Sequence, residues 1–309
     1  MLSCVDSTVA VPDVDVSNPK GTPEIEPMYL QKLWSMTSDV SLQEEERNAL
    51  RAKYFDQCTK WRTLQARLIT AITNLGVSEF WASMCQALRE HGLCGDCGSP
   101  ATVKNVVCFC LGNLGDHAPL YQLSVLILIL ERLGVHHEKC FVFDPCHSPE
   151  EIDVLKHLGF TVLDGSDDAL RVRQMTLFYM PHGDFGLTNN LIAANFDSLH
   201  QIAVLGNNLA WVCNPEEQDT TSAAERMDRT MSRAPFVQKV LAAVKETHLQ
   251  DTFASKVRSQ LPRLAPRISN AFANSVCDSL DCTLSTFPPQ VPLADICRAL
   301  EPAYRESAL

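Results

Sequence analysis

Four short stretches in this 309-residue chain place glycine and hydrogen-bonding residues directly after apolar runs. They are Leu111-Gly112-Asn113-Leu114-Gly115-Asp116, Asp144-Pro145-Cys146-His147, Pro181-His182-Gly183-Asp184 and Gly206-Asn207-Asn208. In open α/β sheets, ligands sit beyond the carboxyl ends of the strands, so four such turns in register describe one crevice. Asp116, Asp144, Asp184 and Glu150 would face it. Several carboxylates around a small pocket suit a cationic substrate, because a guanidinium fork pairs with carboxylate in bidentate fashion. Acids at helix starts are equally favoured by the helix dipole, and both readings stand. His182 follows a strand, where a neutral imidazole can act as general base near pH 7 or simply fix a loop by hydrogen bonds. Asn189, Asn190, Asn207 and Asn208 can donate to a substrate or tie down the turns they occupy.

The first of these turns resembles a glycine-rich ligand loop, with two glycines where the dinucleotide fingerprint has three. Asp144 lies further on than the ~20 residues that fingerprint expects for its ribose-binding acid. An adenosyl cofactor and a plain tight turn are therefore both open readings. Cys94 and Cys97 form a single CxxC with His91 upstream. A structural zinc site takes four ligands and no second pair is evident, so no metal is expected. Cys108 and Cys110, two apart on a strand, are expected to share one buried face.

These turns need elements to hold them. Val103–Leu111, Cys140–Asp144, Phe160–Leu163, Met175–Met180 and Ile202–Leu205 are short apolar runs of the kind that form strands buried on both faces. Between them, Pro119–Leu133 reads as a helix ending at Gly134, and Ser148 caps a second, with Pro149 first and Glu151 closing a capping box. Phe185–Asn195 reads as a third. Alternating strands and helices predict an α/β fold: a Rossmann-like parallel sheet with helices on both faces. Upstream, Trp61, Leu64, Leu68, Ile72 and Leu75, then Phe80, Met84 and Leu88, recur at helical spacing, with Ser78 between them as an N-cap. The chain thus divides into a disordered tail over 1–25, a helical segment over 26–100, a Rossmann core over 101–214 and, after a polar linker, a C-terminal helical extension over 223–309.

Composition bounds the class. A net charge of −11, with 26 basic and 37 acidic residues, argues against a general nucleic-acid or membrane coat. The most apolar run, Leu123–Leu130, falls well short of the ~20 residues of a membrane helix, and residues 1–11 lack the basic start of a secretory signal. A cytoplasmic protein is expected. Thirteen cysteines at irregular spacing read as buried small hydrophobes and not as a disulfide scaffold. Against the acidic background, the stretch from Arg226 to Arg267 holds nine basic and three acidic residues. That surplus reads as solvated helix faces or as a surface for RNA phosphates.

The segment from about Val103 to Trp211 resembles the sensitivity-to-red-light-reduced (SRR-like) domain family. The resemblance rests on Leu111-Gly112, Gln122-Leu123, Phe143-Asp144-Pro145, Leu158-Gly159-Phe160, Leu177-Phe178-Tyr179-Met180-Pro181-His182, Asn189-Asn190-Leu191, Asn195-Phe196 and Gly206-Asn207. It implies one of two functions: a regulator of circadian or heme-synthesis type, or, in a fungal branch, an arginine-containing cyclodipeptide synthase that takes aminoacyl groups from charged tRNA. The nearest counterpart here to that branch's Asp-Asp-x-x-Glu motif is Asp167-Asp168-Ala169-Leu170-Arg171, which lacks the final acid. On the enzyme reading, His182 is the catalytic base and Asp144 binds the guanidinium. Backbone N–H groups near Gly112 steady the oxyanion, and Asp116, Tyr179, Asp184, Asn189, Asn190 and Asn207 line the substrate. The expected partners are arginyl-tRNA and one other charged tRNA on the basic C-terminal helices, with a small cationic substrate and neither DNA nor membrane. No cofactor is needed, since the aminoacyl ester is already activated. The other readings are a non-enzymatic regulator and a methyltransferase-like enzyme using an adenosyl cofactor.

Overall fold

The computed structural model describes residues 27–95, 102–165, 167–181, 183, 185–209, 235–241, 243–249 and 282–287. At its centre is a seven-stranded sheet in the order β3-β2-β1-β4-β5-β7-β6. The first five strands are parallel: β1 (Asn105–Phe109), β2 (Cys140–Phe143), β3 (Thr161–Val162), β4 (Thr176–Met180) and β5 (Ile202–Gly206). The chain winds outward from β1 to β3, returns to β4 on the other side of β1, and continues to β5. That reversal beside β1 is the topological switch point of a doubly wound sheet. β7 (Cys282–Thr286) is antiparallel to both β5 and β6 (Lys245–Leu249).

Period-two alternation divides the core in two. Val106, Cys108, Cys140, Val142, Leu177, Tyr179, Ala203 and Leu205 face one cluster, and Val107, Phe109, Phe178, Met180, Ile202 and Val204 face the other. The first cluster is covered by α3 (Glu79–Glu90), α4 (His117–Leu133) and α5 (Pro149–His157). The second lies under α6 (Asp167–Leu170), α7 (Phe185–Ala194) and α8 (Pro235–Val240). Helices therefore cover both faces, as the alternation of elements predicts.

A further layer lies outside α4. Every residue from Gln122 to Leu130 is buried, which one sheet face alone cannot achieve for a helix. The second cover is α2, a helix of 33 residues (Glu44–Gly76) that runs along α4, with α1 (Met28–Met36) braced against α2 and α5. The N-terminal apolar stripes thus find their partner. Ser78 caps α3 through Trp81 N–H, and Ser148 and Glu151 form the expected capping box on α5.

Two segments differ from the sequence reading. Residues 245–249 and 282–286, both within the stretch read as a helical extension, are strands that finish the sheet. β6 is an edge strand with half-exposed polar residues, so it carries no apolar run to announce it. Most of the basic stretch from Arg226 to Arg267, and the tail over 1–25, lie outside the described residues.

Candidate functional site at the carboxyl ends of the strands

The chain leaves β1 in an unusual conformation. Cys110 has φ 59° and Gly112 φ 80°; both are left-handed, and Cys110 is the one non-glycine with positive φ among the described residues. The Cys110 turn also sends its side chain to the opposite face from Cys108: Cys108 sits in the α4-side cluster, while Cys110 packs against the other. The shared face expected for these two cysteines is therefore not formed, because the strand ends at Phe109. Burial pushes the Cys108 thiol well above its ordinary pKa. Leu111, fully buried, pegs the loop to the core. At Gly112 a Cβ would come within 3.0 Å of Pro119 Cγ, so both its backbone angle and its surroundings call for glycine.

Two acids from the next strand-to-helix segment fasten this loop. Asp144 Oδ2 accepts the Gly112 N–H at 2.7 Å, and its Oδ1 accepts the Cys146 N–H at 2.8 Å. Glu151 Oε1 accepts the Leu114 N–H at 2.5 Å, while its Oε2 takes the Ser148 N–H at 2.8 Å. Asn113 Oδ1 accepts the Gly115 N–H at 2.8 Å, and Arg67 Nη1 reaches across from α2 to the Gly115 carbonyl at 3.1 Å. A carboxylate offers about four lone-pair sites. Half-buried Asp144 uses one on each oxygen and keeps acceptor capacity at the crevice.

The other half of the crevice is tied in the same manner. A Cβ on Gly206 would lie 2.6 Å from the Met180 carbonyl oxygen, so β5 can pass β4 here only as glycine. Asn207 Nδ2 donates to the Gly183 carbonyl at 2.7 Å, anchoring the turn after β4 to the end of β5. His182 and Asp184, which flank Gly183, lie outside the described residues.

The remaining expected site residues are dispersed. Tyr179 is 2% exposed within the α4-side core, and burial holds its phenol well above the usual pKa; it does not reach the crevice. Asn189 is buried and its Oδ1 accepts the Phe236 N–H at 2.8 Å, so it docks α8 on α7. Asn190 is exposed on α7, and Asp116 is exposed at the N-cap position of α4 without a side-chain cap bond. Gly112 and Asp144 are thus joined directly, Asn207 holds the neighbouring turn, and Tyr179 and Asn189 are structural.

The sequence reading passed over Arg67, placed His147 in a crevice turn without giving it a role, took Cys110 for a buried strand residue and saw Glu151 only as a cap. His147, in the turn between β2 and α5, is 9% exposed with neither ring nitrogen bonded to any described residue. His91, weighed above beside Cys94 and Cys97, is a clasp: its ring nitrogens lie 2.8 Å from Thr286 Oγ1 and 2.8 Å from Thr247 Oγ1, joining α3 to β7 and β6. Desolvation, with Lys245 nearby, lowers its pKa from 6.5 to about 4. Cys94 is buried, Cys97 lies outside the described residues, and among the described residues no three His, Cys, Asp or Glu side chains gather for a metal. Among these residues, too, no helix is long and apolar enough to cross a membrane.

The SRR1 domain model matches residues 84–282. This chain belongs to the SRR1 domain family. Within that family it is similar to the SRR1-like protein of Mus musculus, 37% identical over 115 residues covering 35% of this chain and 46% of the mouse protein. It is also similar to Protein SENSITIVITY TO RED LIGHT REDUCED 1 of Arabidopsis thaliana, 29% identical over 152 residues covering 47% of this chain and 55% of the plant protein. The chain spans about half the length of the curated relatives it matches. Among solved structures, the plantazolicin methyltransferase BpumL in complex with SAH aligns over 84% of this SRR1-domain chain and 99% of the enzyme, at 13% identity and a TM-score of 0.29. A likeness at that score carries no argument.

Proposed function

We propose that this SRR1-domain protein binds an adenosyl ligand across the carboxyl ends of β1 and β2, with Asp144 as the acceptor for the ribose hydroxyls. The observation that carries this reading is the Asp144–Gly112 hydrogen bond of 2.7 Å. It brings an acid at the end of the second strand against the glycine loop of the first, beside the switch point where doubly wound sheets take nucleosides. The fit is supported by the left-handed loop at Cys110 and Gly112, which leaves no side chain at Gly112, and by the unused lone pairs of Asp144. A bound adenosyl sulfonium would supply an activated alkyl group for transfer. The chain's own part is to position it: Asp144 fixes the ribose, and Asn207 holds the Gly183 turn where an acceptor would approach. A purely regulatory, non-catalytic protein would use the same site as a sensor.

The test is calorimetric titration of the full chain with S-adenosylhomocysteine. Saturable binding is expected, weakened roughly tenfold or more by Asp144→Ala, as for loss of charge-assisted hydrogen bonds. Absence of binding by folded wild-type protein overturns the reading.

A second reading, aminoacyl-tRNA-dependent synthesis of an arginine-containing cyclic dipeptide, is supported by the basic surplus from Arg226 to Arg267. Expression of the chain in a plain host is then expected to yield new cyclic dipeptide masses containing arginine. Their absence, with folded protein and charged tRNA present, removes this reading.

A further inference from the structure

We propose that the outer side of α2 pairs with α2 of a second copy of this chain, antiparallel and about a two-fold axis, to form a homodimer. Every large hydrophobic side chain that stands exposed among the described residues falls between Met28 and Val77, in the helical part that precedes the family match at residue 84. On α2, exposed residues follow one another at alternating steps of three and four: Glu45, Asn48, Ala52, Phe55, Thr59 and Arg62. That spacing keeps them on one side of the helix, as a coiled-coil seam does. Phe55, near the middle, is 61% exposed. Its ring lies 5.5 Å from that of Tyr54, which lies 4.9 Å from the ring of exposed Trp34 on α1. The seam thus carries an aromatic patch open to solvent.

The seam is complementary to itself once reversed. With two copies antiparallel, Ala52 meets the partner's Phe55, Asn48 meets the partner's Thr59, and Glu45 meets the partner's Arg62. The two-fold axis makes each contact twice. Small lies against large, polar against polar and acid against base. A parallel pair would instead set Glu45 on the partner's Glu45 and Arg62 on the partner's Arg62. Sliding the antiparallel pair by one heptad would set Glu45 against an apolar residue, the partner's Phe55 or the partner's Ile69. Neighbouring charges are already used within one chain: Glu44 pairs with Arg47, Glu46 closes the capping box, and Lys60 pairs with Asp56 at 2.8 Å. Glu45 and Arg62 make no ion pair with any described residue, so both remain for a partner. The seam is short, roughly 26 Å at 1.5 Å per residue, and a dissociation constant on the order of micromolar is expected.

Sedimentation velocity of the full chain across a concentration series tests the dimer. Reversible dimerisation is expected, and Phe55→Asp is expected to abolish it. Glu45→Arg and Arg62→Glu create like-charge layers, so each is expected to weaken dimerisation roughly tenfold. The double exchange Glu45→Arg with Arg62→Glu restores opposite charges and is expected to return it to within about threefold of wild type. All three positions are exposed, and circular dichroism verifies the fold of each variant. A chain that stays monomeric, an assembly that Phe55→Asp leaves intact, single exchanges without effect, or a double exchange no better than the singles overturns the proposal. Neither charge belongs to the crevice, so S-adenosylhomocysteine binding by the variants is expected to match wild type, and the two proposals fail separately.

Discussion

Cys110 and Gly112 stand at two left-handed positions, separated by Leu111, with opposite chemistry. At Gly112 the backbone suits the residue, and an added methyl meets both an unfavourable φ and Pro119. Gly112→Ala is therefore expected to destabilise the protein by about 1–2 kcal/mol and to weaken ligand binding in the crevice. At Cys110 the residue is the misfit, so Cys110→Gly is expected to leave stability unchanged or to raise it slightly, as relief of strain offsets the added chain entropy. Urea melts of the two variants check both signs. A strained non-glycine at the mouth of a ligand loop is the kind of outlier that marks a functional position. It was invisible in the sequence, because only coordinates give φ. Asp144 was visible as a polar residue after an apolar run, but its bond to Gly112 depends on how β1 and β2 lie side by side, which spacing alone does not give.

At the scale of elements, the legible parts were those with strong local signals. The central strands are buried on both faces and read as unbroken apolar runs, and α5 carries its own capping box. β6 and β7 were not legible, because an edge strand owes its pairing to a distant partner and not to its composition. They are clasped to α3 by His91, and this clasp has a pH signature. Unfolded His91 titrates near 6.5, but desolvation and Lys245 lower it to about 4 in the fold, opposed by Glu90. Between these values the unfolded chain binds the extra proton, so stability rises with pH across that window and is lost as pH falls from 6.5 toward 4. His91→Gln keeps hydrogen-bonding capacity without titrating. Its thermal midpoint is expected to fall less steeply than that of wild type over the same window; equal slopes would remove His91 as the cause.

On the scale of the whole molecule, the family match begins at residue 84, yet α1 and α2 precede it and are not dispensable. α2 covers the outer side of α4, whose residues Leu123–Leu130 are all buried, and α1 braces α2 against α5. A chain starting at residue 77 would expose part of that surface, at about 2 kcal/mol for each large aliphatic side chain. Such a fragment is expected to aggregate or to bind hydrophobic dyes strongly, measured by soluble yield and dye fluorescence against the full chain. The sequence indicated this through the N-terminal apolar stripes, but which helix they would meet could only come from the fold.

The antiparallel end of the sheet also has a consequence in time. Among the described strands β6 pairs only with β7, and β7 lies between it and β5. A ribosome delivers residues 245–249 before residues 282–286, so β6 emerges before the strand that holds it. Until β7 arrives, the edge of β5 stands uncovered, and the nascent chain carries an open template for strand pairing. Synthesis that stalls in that interval would leave a sheet ready to add a strand from a neighbouring chain.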